Sequence, residues 1–273
     1  MMYILLIVIG FCTAFLGSIA GLGGGVIFVP SILILANFFE DFSWATPQTL
    51  VGMSLLVMVF TGLSSTYAYI KYKRVDIKSG SIFLIASIPG SLFGVWLNRY
   101  IEGESFKLYF GILMIIISAM FFVRKRISAS KLSTNTKGFQ RTFTHNGETY
   151  TYSYSIPVAL LIAFFVGTCS GLFGIGGGSL MVPTMIMLFG FPAHIAAPTS
   201  MFMIFISSSI SSVAHIALGH IIWGYALFFI IGAWFGGTVG AKASQRMKNE
   251  TIEWVLRILI ILVGINLIWE GLR

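Results

Sequence analysis

The stretch GLGGGVIFVP, from Gly21 to Pro30, interrupts a long apolar segment with four glycines and a proline. Inside a helix, glycine costs about 1 kcal/mol and proline about 3 kcal/mol relative to alanine. A second stretch, GIGGGSLMVP from Gly174 to Pro183, has the same pattern and aligns with the first without gaps. The two stretches therefore predict two breaks in helical structure, at corresponding positions of two halves of the chain.

The composition is that of a polytopic membrane protein. Of the 273 residues, 57% are hydrophobic and 10% are charged, whereas a soluble domain is roughly 25% charged. Several uncharged runs approach the roughly 20 residues that cross a bilayer as a helix. They are Leu50–Ile70, Ser79–Leu97, Leu108–Val123, Ser200–Leu218 and Ile221–Ala241. We expect an all-α, multi-pass protein of the cell membrane, with the lipid bilayer as its surroundings.

Matches between the halves continue beyond the glycines. With a shorter loop in the second half, Ser54 aligns with Ser200, and Ala68-Tyr69 aligns with Ala214-His215. The sequence therefore predicts a first transmembrane repeat at 1–123, a polar cytoplasmic linker at 124–155 and a second transmembrane repeat at 156–273. Each repeat has four hydrophobic segments, and the first segment of each is broken at Gly-Gly-Gly. Many transporters are built from two such repeats.

The length of the broken segments predicts that the repeats are inverted. Tyr3–Asn37 and Ile156–Gly190 each hold about 35 residues, which would make a single helix ~52 Å long. The hydrocarbon core is only ~30 Å thick, so we expect a hairpin that enters the membrane, breaks at the glycines and turns back. Each repeat then crosses the membrane an odd number of times, and the second copy is upside down relative to the first.

The distribution of basic residues agrees with inversion. Cytoplasmic loops of membrane proteins are enriched in Lys and Arg. An inverted arrangement places three basic segments on one side, whereas a parallel one places the third segment opposite the first. The segments are Lys71, Lys73, Arg74 and Lys78; the linker with Arg124, Lys125, Arg126, Lys131, Lys137 and Arg141; and Lys242, Arg246 and Lys248. The net charge of +8 therefore reflects orientation in the bilayer, and we expect no nucleic-acid partner.

The breaks are the candidate substrate site. A helix that begins inside the membrane presents unpaired N–H donors and about half a positive charge, which together favour an anion. Glycine leaves the backbone accessible, and Pro30 and Pro183 suit the first turn of a restarting helix. Glycines that only allow close helix packing are the alternative. The candidate substrate-binding residues are Gly23, Gly24, Gly25, Ser54, Gly176, Gly177, Gly178, Ser179, Thr199 and Ser200.

The titratable residues limit the mechanism. All nine acidic residues lie in loops or at segment ends, which argues against a carboxylate proton relay and against a cationic substrate. His215 lies well inside a segment and is a candidate for proton coupling, although a core histidine bonded to a carbonyl has at least as much support. No cofactor, metal site or catalytic residue is expected, and the sequence does not indicate an oligomeric state. In the linker, FTHNGETYTYSY around Asn146-Gly147 predicts a β-hairpin.

These motifs resemble those of the TauE/SafE family of membrane transporters, also called the sulfite exporter or TSUP family. The most specific parts are GLFGIGGGSLMVP, at Gly171–Pro183, and APTS, at Ala197–Ser200. The first half matches the family pattern less closely, because LVGMS has Met53 where the second half has Thr199. The resemblance covers nearly the whole chain. It implies export or other transport of sulfur-containing anions such as sulfite, sulfoacetate or other organosulfonates.

Three functional hypotheses follow. The first is a secondary transporter of a small anion that works by alternating access around the two breaks, and not an enzyme. The second is a passive anion channel. The third is an intramembrane hydrolase with Ser179 as nucleophile and His215 as base, since a Ser–His pair is a legitimate nucleophilic arrangement. Ser179 has no counterpart in the first half, where Val26 stands, so the third hypothesis has the weakest support.

Overall fold

The computed structural model describes residues 2–127, 138–145, 147–245, 261 and 264–272. Helices make up most of this part of the chain, and two short strands lie in the linker. The helices are α1 (Met2–Ala20), α2 (Gly25–Ala36), α3 (Pro47–Lys71), α4 (Ile77–Asn98), α5 (Gly103–Ile127), α6 (Ile156–Phe173), α7 (Gly178–Met187), α8 (Ala193–Ala217) and α9 (Trp223–Ala243). Residues 264–271 are also helical.

Seven of the described helices are long and apolar enough to cross a membrane, namely α1, α3, α4, α5, α6, α8 and α9. The protein is therefore an all-α polytopic membrane protein, as the sequence predicts. Most of the eighth hydrophobic segment of the sequence lies outside the described residues, and so do Arg246 and Lys248 of the basic segment before it. The end of α5 passes the predicted repeat boundary at 123 and continues to Ile127. The division into repeats and linker stays a prediction.

Each glycine stretch separates a long helix from a short one that returns beside it. At the first break, a Cβ on Gly24 would lie 2.7 Å from the carbonyl oxygen of Thr13, so α2 begins beside the middle of α1. At the second break, a Cβ on Gly177 would lie 3.4 Å from Cγ1 of Val166, so α7 begins beside α6. The chain turns back at each break, as a re-entrant hairpin requires. The prolines are not in the first turn, contrary to expectation: Pro30 and Pro183 each occupy the second turn of a helix that begins at the last glycine.

Glycine faces hold the two broken helices against the opposite half of the chain. Gly90 and Gly94 of α4 pack against the backbone of Phe164 and Thr168 in α6, where a Cβ would overlap a carbonyl oxygen. The contact between α1 and α9 repeats this arrangement at the aligned positions. There, Gly236 and Gly240 meet the carbonyl oxygens of Phe11 and Phe15. Small residues of this kind allow close helix packing in membranes.

Helices α3 and α8, which the repeat alignment pairs, lie antiparallel. Gly52 near the start of α3 contacts His215 near the end of α8. At the other end, the hydroxyl of Thr199 accepts a hydrogen bond of 3.0 Å from the backbone N–H of Asp76, which follows α3. Two aligned helices in opposite directions are what an inverted repeat requires. The antiparallel packing therefore supports the predicted inversion, which itself stays a prediction.

The linker folds into the predicted β-hairpin. Strand β1 (Phe139–His145) pairs antiparallel with β2 (Glu148–Tyr154), and His145 stands opposite Glu148 at the tip. Aromatic side chains on the hairpin reach the connection between α7 and α8. The rings of Tyr152 and Phe191 have centroids 3.8 Å apart. The hairpin therefore packs on the helical bundle instead of extending away from it.

Candidate functional site

The two glycine breaks meet in the interior of the bundle. A Cβ on Gly25 would overlap the carbonyl oxygen of Gly174, and one on Gly178 would overlap that of Gly21. Each short helix therefore begins against the break of the other half. Residues 21–30 and 173–185 are all buried. The fold thus brings together six of the glycines that the sequence predicts as site residues, at 23–25 and 176–178.

Two serine hydroxyls brace the crossing of the breaks. Ser54 Oγ of α3 donates to the carbonyl oxygen of Gly174 at 2.5 Å. Ser200 Oγ of α8 donates to the carbonyl oxygen of Gly21 at 2.8 Å. These are aligned positions in the two halves, and both side chains are completely buried. The hydroxyl hydrogens of the two candidate residues are thus already used within the protein.

Uncapped helix N-termini supply the free donors at this crossing. Neither α2 nor α7 has a side-chain cap. Within the part of the chain that the structure describes, the N–H groups of Gly24, Gly25, Gly177 and Gly178 have no acceptor. Unpaired backbone N–H groups are costly in a membrane interior unless they face a cavity or a ligand. Gly23 and Gly24 have φ values of 79° and 95°, a backbone region that glycine adopts without the penalty of a side chain.

Apolar side chains cover the breaks in this structure. A Cβ on Gly176 would lie 2.6 Å from the sulfur of Met58, near the middle of α3. A Cβ on Gly23 would lie 2.9 Å from Cδ1 of Ile204, near the middle of α8, and 3.2 Å from the same sulfur. Met58 and Ile204 occupy aligned positions in the two halves. Side chains from the middle of α3 and α8 therefore cover Gly23 and Gly176.

Of the other candidate residues, one lies at the crossing of the breaks and two lie away from it. Ser179 lies at the break, where its hydroxyl donates to the carbonyl oxygen of Gly176 at 3.1 Å. Thr199 points away from the break, toward the N–H of Asp76. His215 is far along α8, and its Nδ1 lies 2.9 Å from Nδ1 of His220. The hydrogen bonds of Ser179 and His215 therefore do not join them into a nucleophile–base pair.

A buried ionic cluster at the start of α4 was not predicted from the sequence. Asp76 is completely buried, and its carboxylate accepts hydrogen bonds from Ser79 Oγ at 2.5 Å, Tyr152 Oη at 2.5 Å and Arg141 Nη2 at 3.1 Å. Tyr154 Oη donates to Ser79 Oγ. The only sequence signal was local, because Asp is a favoured residue at a helix N-cap. The contact with the linker depends on the tertiary structure.

The electrostatics of this cluster favour a charged carboxylate. Burial on its own would raise the pKa of Asp76, but hydrogen bonds from Arg141, Ser79 and Tyr152 hold that pKa below its ordinary value. Burial and the hydrogen bond to Asp76 raise the pKa of the Tyr152 phenol, which therefore stays protonated and donates. The cluster ties the linker hairpin to the end of the bundle where α8 begins. No group of three His, Cys, Asp or Glu side chains suited to a metal ion occurs in the described ranges.

Comparison with known proteins identifies the family. The family model described as "Sulfite exporter TauE/SafE" matches residues 6–267. The chain is 49% identical to "Probable membrane transporter protein YunE" of Bacillus subtilis (strain 168), over 100% of this chain and 99% of that protein. It is 24% identical to "Probable membrane transporter protein MJ0441" of Methanocaldococcus jannaschii, over 96% of this chain and 93% of that protein.

A third relative, "Probable membrane transporter protein YfcA" of Escherichia coli (strain K12), is 20% identical over 94% of this chain and 86% of its own length. No solved structure matches the chain. The family match spans both glycine breaks and both halves of the bundle, and these relatives are named as membrane transporters. The protein belongs to the TauE/SafE family of membrane transporters.

Proposed function

We propose that the protein is a secondary transporter of a small anion and that the crossing of the two breaks is its substrate site. The observation that carries this proposal is the convergence of two uncapped helix N-termini in the interior of the bundle. N–H groups of Gly24, Gly25, Gly177 and Gly178 are free there to bind a negatively charged group. The positive ends of both helix dipoles add to the attraction for an anion.

The proposed substrate is a sulfur-containing oxyanion such as sulfite, sulfoacetate or another organosulfonate, exported across the membrane. The description of the family supports this class. Neutral backbone donors also suit such an anion, because they bind several oxygen atoms without the strong attraction of a fixed positive charge. An anion bound in this way can leave the site again, as every transport cycle requires.

The proposed mechanism is alternating access of the two halves around the breaks. In the closed arrangement, Met58 and Ile204 cover the glycines. The bonds Ser54–Gly174 and Ser200–Gly21 each connect a break to the other half of the chain. Movement of one half against the other would break one of these bonds before the other and open the site to one side. The near-equivalence of the two bonds supports such a reciprocal motion.

The two alternatives differ in the support they have. A passive anion channel would use the same backbone donors. Only a transport experiment distinguishes it from a secondary transporter. An intramembrane hydrolase has little support, because the hydroxyl of Ser179 is bonded to Gly176 and the ring of His215 is bonded to His220. The family membership and the names of the relatives favour a transporter over an enzyme.

The deciding experiment is a substrate panel in proteoliposomes, with sulfite, sulfoacetate, taurine, sulfate and chloride. Accumulation of one anion against its electrochemical gradient supports a secondary transporter, whereas equilibration along that gradient supports a channel. Gly177→Ala tests the site. Its φ of −55° and a nearest neighbour at 3.4 Å accommodate a methyl group, which would stand beside the free donors. Gly224→Ala is the matched control, since nothing lies within 4 Å of its Cβ position. Unchanged flux in Gly177→Ala would argue against the site.

A further inference from the structure

One face of α8 carries four buried polar side chains with unpaired atoms. We call Ser208, Ser211, Ser212 and His215 the hydroxyl stripe. Each is at least 98% buried, and the three Oγ atoms and His215 Nε2 have no hydrogen-bond partner in the described part of the chain. Their spacing of three and four residues places them within an arc of about 100° on the helix. The unpaired atoms therefore face a common region of the interior.

Other serines on the same helix show that this lack of partners is specific to the stripe. Ser209 Oγ donates to the carbonyl oxygen of Phe205 at 2.6 Å, four residues earlier. This back-bonding is the usual way for a serine to satisfy its hydroxyl inside a membrane helix. A buried hydroxyl without a partner is costly, because it has lost its hydrogen bonds to water and gained none. Several such groups on a single face indicate that a polar ligand binds beside them.

At the aligned positions of α3, the corresponding side chains do have hydrogen-bond partners. Ser65, which aligns with Ser211, donates to Ser18 Oγ at 2.7 Å. Tyr69, which aligns with His215, donates to the carbonyl oxygen of Ser18 at 3.0 Å. In the second half, Gly171 stands at the position that corresponds to Ser18. The partner hydroxyl is therefore absent from that half, and the stripe keeps its hydrogen-bonding capacity.

The hydroxyl stripe continues from the crossing of the breaks. On the same side of α8, Ser200 bonds to Gly21, and Ile204 packs on Gly23 one turn later. Ser208 follows after one further turn. At its other end, the stripe reaches His215, His220 and the neighbouring positive charge of Arg99. Burial and that charge both lower the pKa of His220. The stripe thus runs from the glycine breaks to the end of α8 that lies near Arg99.

We propose that the hydroxyl stripe is a second binding site for the transported oxyanion, on the path between the breaks and the His215 end of α8. This site deepens the proposed function and rests on it. Its donors are the hydroxyl hydrogens of Ser208, Ser211 and Ser212. His215 adds a fourth donor when its Nδ1 accepts the hydrogen bond from His220 Nδ1, because the proton of the neutral His215 ring is then on Nε2. Neutral donors along the path let the anion lose its water in steps.

The first test measures binding without transport. Purified protein is titrated with sodium sulfite, sulfoacetate or sulfate while its thermal unfolding is followed. The triple variant Ser208→Ala, Ser211→Ala, Ser212→Ala keeps the shape of α8 and removes the donors. We expect the anion concentration for half-maximal stabilisation to rise at least about tenfold, since a hydrogen bond to a charged group contributes about 1.5–3 kcal/mol. Ser209→Ala is the matched control and should bind as the unmodified protein does.

The second test measures flux of the same anions in proteoliposomes. We expect the triple variant to have a KM about tenfold higher or more, with Ser209→Ala within twofold of the unmodified protein. If the triple variant matches Ser209→Ala in both anion stabilisation and KM, the hydroxyl stripe does not bind the anion. This conclusion holds even if Gly177→Ala has lost its flux. Conversely, stabilisation that depends on the stripe in a protein that moves none of the anions would support the binding site and refute the transporter.

Discussion

Ser200 Oγ of α8 lies 2.8 Å from the carbonyl oxygen of Gly21, and this bond joins the two halves of the molecule. Its counterpart runs from Ser54 to Gly174. Each serine thus supports the break of the opposite half at the point where that chain leaves its helix. The breaks are held in place by these two bonds as well as by the close approach of glycine backbones.

Ser54→Ala and Ser200→Ala should each destabilise the protein by about 1–3 kcal/mol, because each leaves a buried glycine carbonyl without its partner. Thermal unfolding in detergent would measure the effect. Ser31→Ala is a suitable control, since its hydroxyl only back-bonds to Ile27 within α2. Equal unfolding temperatures for the two core variants and the control would show that the bonds across the halves do not stabilise the crossing.

Gly178→Ala should prevent normal assembly of the bundle. Its Cβ would overlap the carbonyl oxygen of Gly21 and crowd Ser200 and Ile204, and backbone atoms cannot move aside as a flexible side chain does. We expect a cost of about 1–3 kcal/mol or more from overpacking. The yield of monodisperse protein after solubilisation measures this, with Gly177→Ala beside it. A normal yield for Gly178→Ala would mean that the breaks lie further apart than described.

Asp76→Asn should release the linker hairpin from the helical bundle. The neutral amide cannot match the charge of Arg141 and loses strength in the bonds from Tyr152 and Ser79, for a cost of about 1–3 kcal/mol. Hydrogen exchange of the backbone amides at 139–154 measures the release. Glu148→Gln changes an exposed carboxylate at the hairpin tip and serves as the control. Unaltered exchange in Asp76→Asn would show that aromatic packing alone holds the hairpin.

The docking of the hairpin should be insensitive to pH between about 5 and 8. The pKa of Asp76 is lower in the folded protein than its ordinary value, which is about 3.9 for an unfolded chain. A lowered carboxyl pKa contributes stability that is present above the unfolded value and is lost as pH falls through the folded value. Exchange of the hairpin amides at a series of pH values checks this. Release near pH 6 would instead indicate a histidine.

His215→Ala should abolish the pH dependence of flux if His215 couples protons to transport. The paired ring of His220 and the unpaired, buried Nε2 of His215 motivate this prediction. Flux in proteoliposomes between pH 5.5 and 8.5 measures it, with His194→Ala as the control at the start of α8. An unchanged pH profile in His215→Ala would leave only the binding role of this residue in the stripe.

Much of the architecture could be predicted from the sequence, because the decisive signals are local or repeated. Helices of membrane length follow from uncharged runs, and the breaks at Gly21–Gly25 and Gly174–Gly178 follow from the cost of glycine within a helix. The hairpin around Gly147 follows from alternation and turn residues. The prediction that Pro30 and Pro183 lie in the first turn of the short helices was wrong by one turn, because these helices begin at the last glycine.

The sequence by itself determined that the chain is a multi-helix membrane protein with two matched interruptions, because apolar length and glycine cost depend only on neighbouring residues. Only the tertiary structure decided which polar groups are already hydrogen-bonded within the protein. Ser54 and Ser200 were predicted as donors to the substrate and are hydrogen-bonded to the opposite breaks. Ser208 and Ser211 were not singled out and have no hydrogen-bond partner among the described residues. Asp76 and Arg141 are 65 positions apart and meet only when the hairpin docks. A hydrogen bond depends on distance in space, which the order of residues does not fix.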